Sequence, residues 1–245
     1  PAGGLDITDR ALRALVGRSY QYGQPPVHEY IDLENDPHVL FAAISGGGKS
    51  TVMRMALASL LHNTAPADLR VALVDLKNAD FPPFADLPHV LAFAGDPPAA
   101  AAVVAQVLAE LQQRIASRQM PYRVLLLVDE LAQLRGDKQA MQALESIMNM
   151  GRALGVHVWA GTQYPSRDTI TSGINTAFTT RIVGRVDSKV SALVAAKRPG
   201  TGAEALLVPG DFLRVAGDVR RLKAYNLTMA ETAERIQAIA QRCGG

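Results

Sequence analysis

Seven consecutive residues, Ser45, Gly46, Gly47, Gly48, Lys49, Ser50 and Thr51, carry the plainest chemistry in this chain. They follow an apolar run and precede a helical pattern, the context in which a glycine-rich string becomes a phosphate cradle. Glycines let successive backbone amides turn inward, and the start of the helix adds the positive end of its dipole. Lys49 brings a full charge to the β and γ phosphates, and Ser50 offers a hydroxyl to Mg²⁺. The common pattern has glycine where this chain has Ala43, whose methyl fits if φ stays negative. Taken alone, the string is also compatible with a flexible turn that caps a helix.

A second apolar run, 124–128, leads into Asp129 and Glu130. Two carboxylates then stand at the carboxyl end of a buried strand, where ligands bind in open α/β sheets. In that place Asp129 is expected to hold Mg²⁺ through water, and Glu130 to orient and deprotonate the water that attacks ATP. The pair read alone is equally the polar start of a loop, but its coincidence with Lys49 and Ser50 favours a joint nucleotide site. A third run, 156–160, ends in Gly161, Thr162 and Gln163. Gln163 is the expected sensor of the γ-phosphate or its water, with a solvated loop amide as the alternative.

Such a site needs a sheet to hold it. The chain has 245 residues, of which 48% are hydrophobic, enough for one sizeable core and one large α/β domain. From Pro37 onward short apolar runs alternate with longer amphipathic stretches, the mark of crossover units building a mostly parallel sheet. Strands are expected at 39–42, 71–76, 124–128, 156–160 and 181–186, nearly all apolar, as strands covered on both faces should be. Helices are expected at 49–61, 99–118, 138–153 and 228–241, the last opened by a capping box of Thr228 and Glu231. A small β element at 212–215 and 222–225 closes the sheet, and residues 1–36 read as a lead-in segment with a helix at 8–16. The fold class is therefore a RecA-like P-loop core, with a mostly parallel central sheet flanked by helices and residues 37–245 forming the ATPase domain.

Charge narrows the partners. Lys and Arg number 25 against 23 Asp and Glu, so the net charge of +2 gives no blanket footprint for nucleic acid. Contacts to DNA would have to come from local basic loops, with Arg135, Lys138, Lys197 and Arg198 as candidates. One cysteine, Cys243, and no secretory or membrane-spanning pattern point to a cytoplasmic setting. A chain that begins at Pro1 reads as a piece of a larger parent.

Beyond the phosphate string, several segments together resemble the FtsK/SpoIIIE family of DNA-translocating ATPases, part of the group that includes HerA. They are Asp32-Leu33, Pro37-His38-Val39-Leu40, Val74-Asp75-Leu76-Lys77 and Val128-Asp129-Glu130-Leu131-Ala132, then Gly151-Arg152-Ala153-Leu154-Gly155-Val156-His157. Gly161-Thr162-Gln163-Tyr164-Pro165-Ser166-Arg167-Asp168-Thr169-Ile170, Thr180-Arg181-Ile182, Gly202-Ala203-Glu204 and Gly210-Asp211-Phe212-Leu213 complete the set. The resemblance implies a homo-oligomeric, hexameric ring with ATP between neighbours and double-stranded DNA through the channel, gripped without regard to sequence. It also implies a cation supplied in trans: Arg152 first, with Arg181, Arg185 and Lys189 as alternatives. At Lys189 the family usually has arginine, and lysine lacks the planar bidentate fork. Two other functions remain compatible with these residues, a protein-secretion ATPase of the type VII kind and an ATP-binding scaffold with impaired turnover.

Overall fold

A computed structural model describes residues 12–20, 23 and 25–243. Among them, one sheet of ten strands runs in the order β2, β1, β10, β9, β8, β3, β7, β6, β4, β5. Its parallel part is β8 (Thr180–Val183), β3 (His38–Ala42), β7 (Val156–Thr162), β6 (Arg123–Val128), β4 (Leu69–Val74) and β5 (Val90–Ala94). An antiparallel extension adds β9 (Asp211–Ala216), β10 (Asp218–Ala224), β1 (Arg13–Ser19) and β2 (Val27–Asp32).

Strand alternation divides the core into two layers. Val39, Phe41, Leu125, Leu127 and Trp159 face one cluster with helix α1 (Lys49–Asn63) and α7 (Met229–Cys243). Leu40, Leu126, Val128, Val158 and Ala160 face another, built with α2 (Pro97–Ser117) and α4 (Lys138–Met150). With both faces covered, strands need no polar alternation, which is why the runs read as continuous apolar stretches. A third, smaller cluster joins α6 (Lys189–Ala196) to β8 and β9 through Val183, Ala192, Ala195 and Leu213.

Helix ends follow local chemistry. Asp96 caps α2 by accepting the Ala99 amide at 2.9 Å, ahead of Pro97 and Pro98. Asp137 caps α4 through the Gln139 and Ala140 amides, both at 2.9 Å. The helix expected over 138–153 stops at Met150, and a 3₁₀ turn, Arg152–Leu154, follows. Gly151 makes this break possible, because a methyl there would sit 2.5 Å from the carbonyl oxygens of Ile147 and Val156. The short helices α3 (Leu131–Leu134) and α5 (Ser172–Ala177) follow β6 and β7.

The amino-terminal expectation needs correction. Residues 13–16, expected at the end of a helix, lie in β1, where Ala14, Leu15 and Val16 are buried against α1. Ladder bonding and burial override a weak helical propensity here. Positions 8–11 of that helix lie outside the described residues. Residues 13–32, read from sequence as lead-in, thus supply two strands of the same sheet. The strand expected at 181–186 ends at Val183, and β5 had not been anticipated. Among the described residues no helix is long and apolar enough to cross a membrane.

The expected capping box is present before α7: the Thr228 amide donates to Glu231 at 2.8 Å, and the Glu231 amide donates to Thr228 Oγ1 at 3.2 Å. Thr228→Ala should cost about 1 kcal/mol in chemical denaturation, the usual effect of losing a helix cap.

Candidate functional site

Strand order decides the site. β7 lies between β3, which ends in the glycine string, and β6, which ends in the acidic pair. The carboxyl ends of all three therefore open on one edge, the position expected for ligands in a parallel sheet.

Gly46 and Gly48 have φ of 76° and 95°, left-handed values that a side chain would strain. Gly48 is the N-cap of α1, with no side-chain cap and no acidic residue in the first turn. Protein side chains thus leave the first amides of α1 to another acceptor, and an anion suits that place. The Gly47 amide donates to the Ile44 carbonyl at 3.0 Å, and the Gly47 carbonyl accepts the Gly210 amide at 3.2 Å, tying the loop to the start of β9.

Ala43 is accommodated by its neighbours. It is fully buried and is not among the described residues with positive φ. A methyl at Gly47 or Gly184 would come within 3.0 Å of its Cβ, so two glycines make room for the one side chain.

Lys49 and Asp129 form a buried ion pair. Lys49 Nζ donates to Asp129 Oδ1 and to the Asp129 carbonyl oxygen, each at 2.6 Å, and the Ser50 hydroxyl donates to the same Oδ1 at 3.4 Å. The pair crosses the end of β7 at Gly161. A methyl on Gly161 would overlap the Asp129 carbonyl oxygen and stand 2.8 Å from Lys49 Nζ. Gly161 is thus part of the site, although sequence reading noted it only within a longer segment.

Glu130, also buried, follows Asp129 at the strand end. Both its oxygens accept the Gln163 amide, at 3.2 and 3.1 Å, and the Thr162 hydroxyl donates to its carboxylate. Lys77 Nζ stands 4.0 Å from Glu130 Oε2. Burial raises the Glu130 pKa above its ordinary value, while Lys49, the Gln163 amide, Thr162 and Lys77 pull in the opposite direction. Gln163 therefore meets Glu130 through its backbone.

Thr162 and Lys77 had no assigned role in the sequence reading. Asp75, directly after β4, organises the loop of Lys77: its carboxylate accepts the amides of Lys77, Ala79, Asp80 and Phe81 at 3.0 to 3.2 Å. An acidic residue directly after an apolar strand was the available signal.

The proposed trans cations separate clearly. Arg181 is buried, and its guanidinium donates to the carbonyls of Ala195 at 2.9 Å and Asn175 at 2.5 Å and to Asn175 Oδ1 at 2.7 Å. Committed to these acceptors, it cannot reach a neighbour and drops out. Arg185 is exposed on the glycine-string side, where its carbonyl accepts the Ile44 amide at 2.8 Å. Lys189 is exposed at the first turn of α6. Arg152 is exposed at the amino end of β7, the opposite sheet edge from Lys49 and Glu130. The basic loops also separate: Arg135 and Lys138 follow β6 on the site edge, whereas Arg198 donates to the Gly217 carbonyl at 2.9 Å on the far edge.

Beside the glycine string lies a cleft of about 360 Å³ between Gly46, Gly48, Thr51, Gly210, Tyr225 and Asn226. Its size suits the nucleoside part of a nucleotide. The uncapped helix start, one lysine, one hydroxyl and two carboxylates are a donor set that fits a magnesium nucleotide.

A mostly parallel sheet with helices on both faces and a glycine-lysine-serine loop meeting an acidic strand end defines a P-loop ATPase fold of the RecA-like class. Comparison with known proteins agrees. Residues 9–121 match the model of the FtsK/SpoIIIE family. It is 32% identical over 206 residues to the DNA translocase FtsK of Helicobacter pylori, covering 74% of this chain and 24% of that protein. It is 33% identical over 216 residues to the DNA translocase SftA of Bacillus subtilis, covering 78% and 22%. The chain therefore spans about a quarter of the length of these curated relatives. Among solved structures it resembles the pCW3 conjugation coupling protein TcpA with ATPγS, at TM-score 0.81 and 21% identity over 96% of this chain and 72% of that one. The cytoplasmic domain of the type VII secretion ATPase EccC from Thermomonospora curvata follows at TM-score 0.80 and 21% identity, covering 97% and 33%.

The raised Glu130 pKa has a stability consequence. The folded state holds its proton to higher pH than the unfolded chain, so stability is lost as pH rises from the ordinary glutamate value through the folded pKa. Glu130→Gln has no such loss, and its thermal stability relative to the unsubstituted chain should improve as pH is raised across that window. Lys77→Met, which removes a cation that opposes the shift, should extend the loss to higher pH in the same melting series.

Proposed function

We propose that this chain is the motor core of an ATP-driven double-stranded DNA translocase that works as a homo-oligomeric, hexameric ring and hydrolyses ATP at its subunit interfaces. The observation that carries the reading is the joint approach of Lys49, Ser50 and Asp129 at one end of β7, with Glu130 held beside them. Sequence relatives at 32% and 33% identity are DNA translocases by name, which favours DNA over a polypeptide as the cargo. Likeness to the secretion ATPase is a likeness of fold.

In this reading the amides of the string 45–51 and Lys49 bind the phosphates of ATP, and Ser50 with Asp129 holds Mg²⁺. Bound magnesium supplies charge neutralisation on the phosphate oxygens. Glu130 orients water and accepts its proton at the carboxylate. Its fixed amide partner at Gln163 keeps the carboxylate aimed, and Lys49, with Lys77, favours its charged form against burial. Arg152, on the far sheet edge, serves the site of the adjacent copy, where guanidinium charge offsets the charge that develops on phosphoryl transfer. Sequence-independent DNA contact falls to loops such as Arg135 and Lys138 beside the site, repeated around the ring.

Glu130→Gln should abolish ATP hydrolysis while nucleotide binding persists, and double-stranded DNA should stimulate hydrolysis by the unsubstituted chain. Lys49→Ala should abolish binding and also destabilise the fold by about 3–5 kcal/mol, because it strands a buried Asp129 carboxylate. Gly161→Ala should weaken ATP binding at least about tenfold, as read by titration calorimetry. Hydrolysis indifferent to DNA, with no binding of duplex at low salt, would select the secretion reading instead.

A further inference from the structure

The cleft beside the glycine string has an aromatic wall that is held from outside the parallel sheet. Tyr225, half-buried just past β10, lines it together with Gly46, Gly48 and Thr51. An aromatic ring offers a flat face on which any nucleobase can stack. It serves that purpose best when its tilt is fixed.

Two residues of the lead-in strands fix it. β2 pairs with β1 so that His28 stands directly opposite Arg18, and β1 pairs with β10 so that Gly17 stands opposite Ala224. Gly17 is the condition for that approach, since a methyl there would come 2.3 Å from the Lys223 carbonyl oxygen and 2.9 Å from Ala224 Cα. The Tyr225 amide then donates to the Val16 carbonyl at 3.0 Å.

With the backbones locked, the Arg18 and His28 side chains converge on one hydroxyl. Arg18 Nε donates to the Tyr225 hydroxyl, and His28 Nδ1 lies 3.0 Å from it. Arginine can only donate, so the hydroxyl accepts from it and has its own proton left for the imidazole nitrogen. Burial raises the Tyr225 pKa, with Arg18 opposing, so the phenol keeps that proton at neutral pH. The ring is held as well: Arg18 Cζ stands 5.2 Å from its centroid, and the His28 ring lies 5.9 Å away with the planes 31° apart. Other arginines of the antiparallel extension, Arg13, Arg214, Arg220 and Arg221, each pair with a carboxylate. Arg18 is given to Tyr225 instead.

We propose that the base of the bound nucleotide stacks on Tyr225, and that Arg18 and His28 are positioning residues that set nucleoside affinity through the Tyr225 hydroxyl. The inference rests on the nucleotide reading of the glycine string. It makes β1 and β2 part of nucleotide binding, while recognition of the phosphates stays with the string and Lys49. The two contributions are therefore separable.

Titration calorimetry with ATPγS and with inorganic tripolyphosphate, each with Mg²⁺, separates them, because only the first ligand carries a base. Tyr225→Ala should weaken ATPγS binding about tenfold, as loss of one stacked base does, and leave tripolyphosphate binding unchanged. Arg18→Gln and His28→Ala should each weaken ATPγS up to about fivefold, the effect of one hydrogen bond. Neither should add anything in Tyr225→Phe, where the hydroxyl they hold is gone. Retained tripolyphosphate binding shows that a variant keeps its glycine string folded. The proposal is overturned by equal loss of both ligands, by undiminished ATPγS binding in Tyr225→Ala, or by an Arg18→Gln effect that persists in full in Tyr225→Phe. Each of those results leaves the motor reading standing, whereas an unsubstituted chain that binds neither ligand overturns both.

Discussion

Everything at the site edge depends on one buried ion pair. Lys49 and Asp129 meet at 2.6 Å across the end of β7, from strands that are not neighbours in the sheet. A buried charge left alone is costly, so each member fixes the other, and together they fix the glycine string relative to the acidic strand end. Gly161 is the condition for that meeting, because the intervening strand must carry no side chain where the pair crosses.

From this pair the rest follows in order. Glu130 is held by the Gln163 amide and the Thr162 hydroxyl, so two adjacent carboxylates sit in different surroundings. Asp129 has the Lys49 ammonium at contact distance, whereas Glu130 feels the Lys49 charge without pairing to it, accepts two neutral donors and has Lys77 4.0 Å away. Burial therefore dominates at Glu130 and raises its pKa, a condition that suits a group meant to exchange a proton. The loop organised by Asp75 belongs to the same design, since it presents Lys77 to Glu130 from the next strand.

The two edges of the parallel sheet have opposite characters. At the carboxyl ends, a lysine, a hydroxyl and paired carboxylates surround an uncapped helix start. At the amino ends, Arg152, Arg123, Glu34 and His157 line a cavity. Arg181, which the family resemblance left among the trans cations, is instead spent on holding α5 and α6 to β8.

Local pattern was enough for much of this protein. The glycine string, the acidic pair, the apolar runs of the parallel strands and the Thr228–Glu231 capping box are short-range features, and each was legible because its chemistry needs only neighbours in the chain. Continuous apolar runs likewise announced strands covered on both faces. What only the tertiary structure decided was pairing across distance: that residues 13–19 and 27–32 join the sheet, that β7 separates the two halves of the site, that Gly161 must lack a side chain, and that Arg181 is buried while Arg152 is exposed. The physical reason is that burial, ladder bonding and charge pairing between remote segments depend on which strands become neighbours, and periodicity along a sequence carries no record of that order.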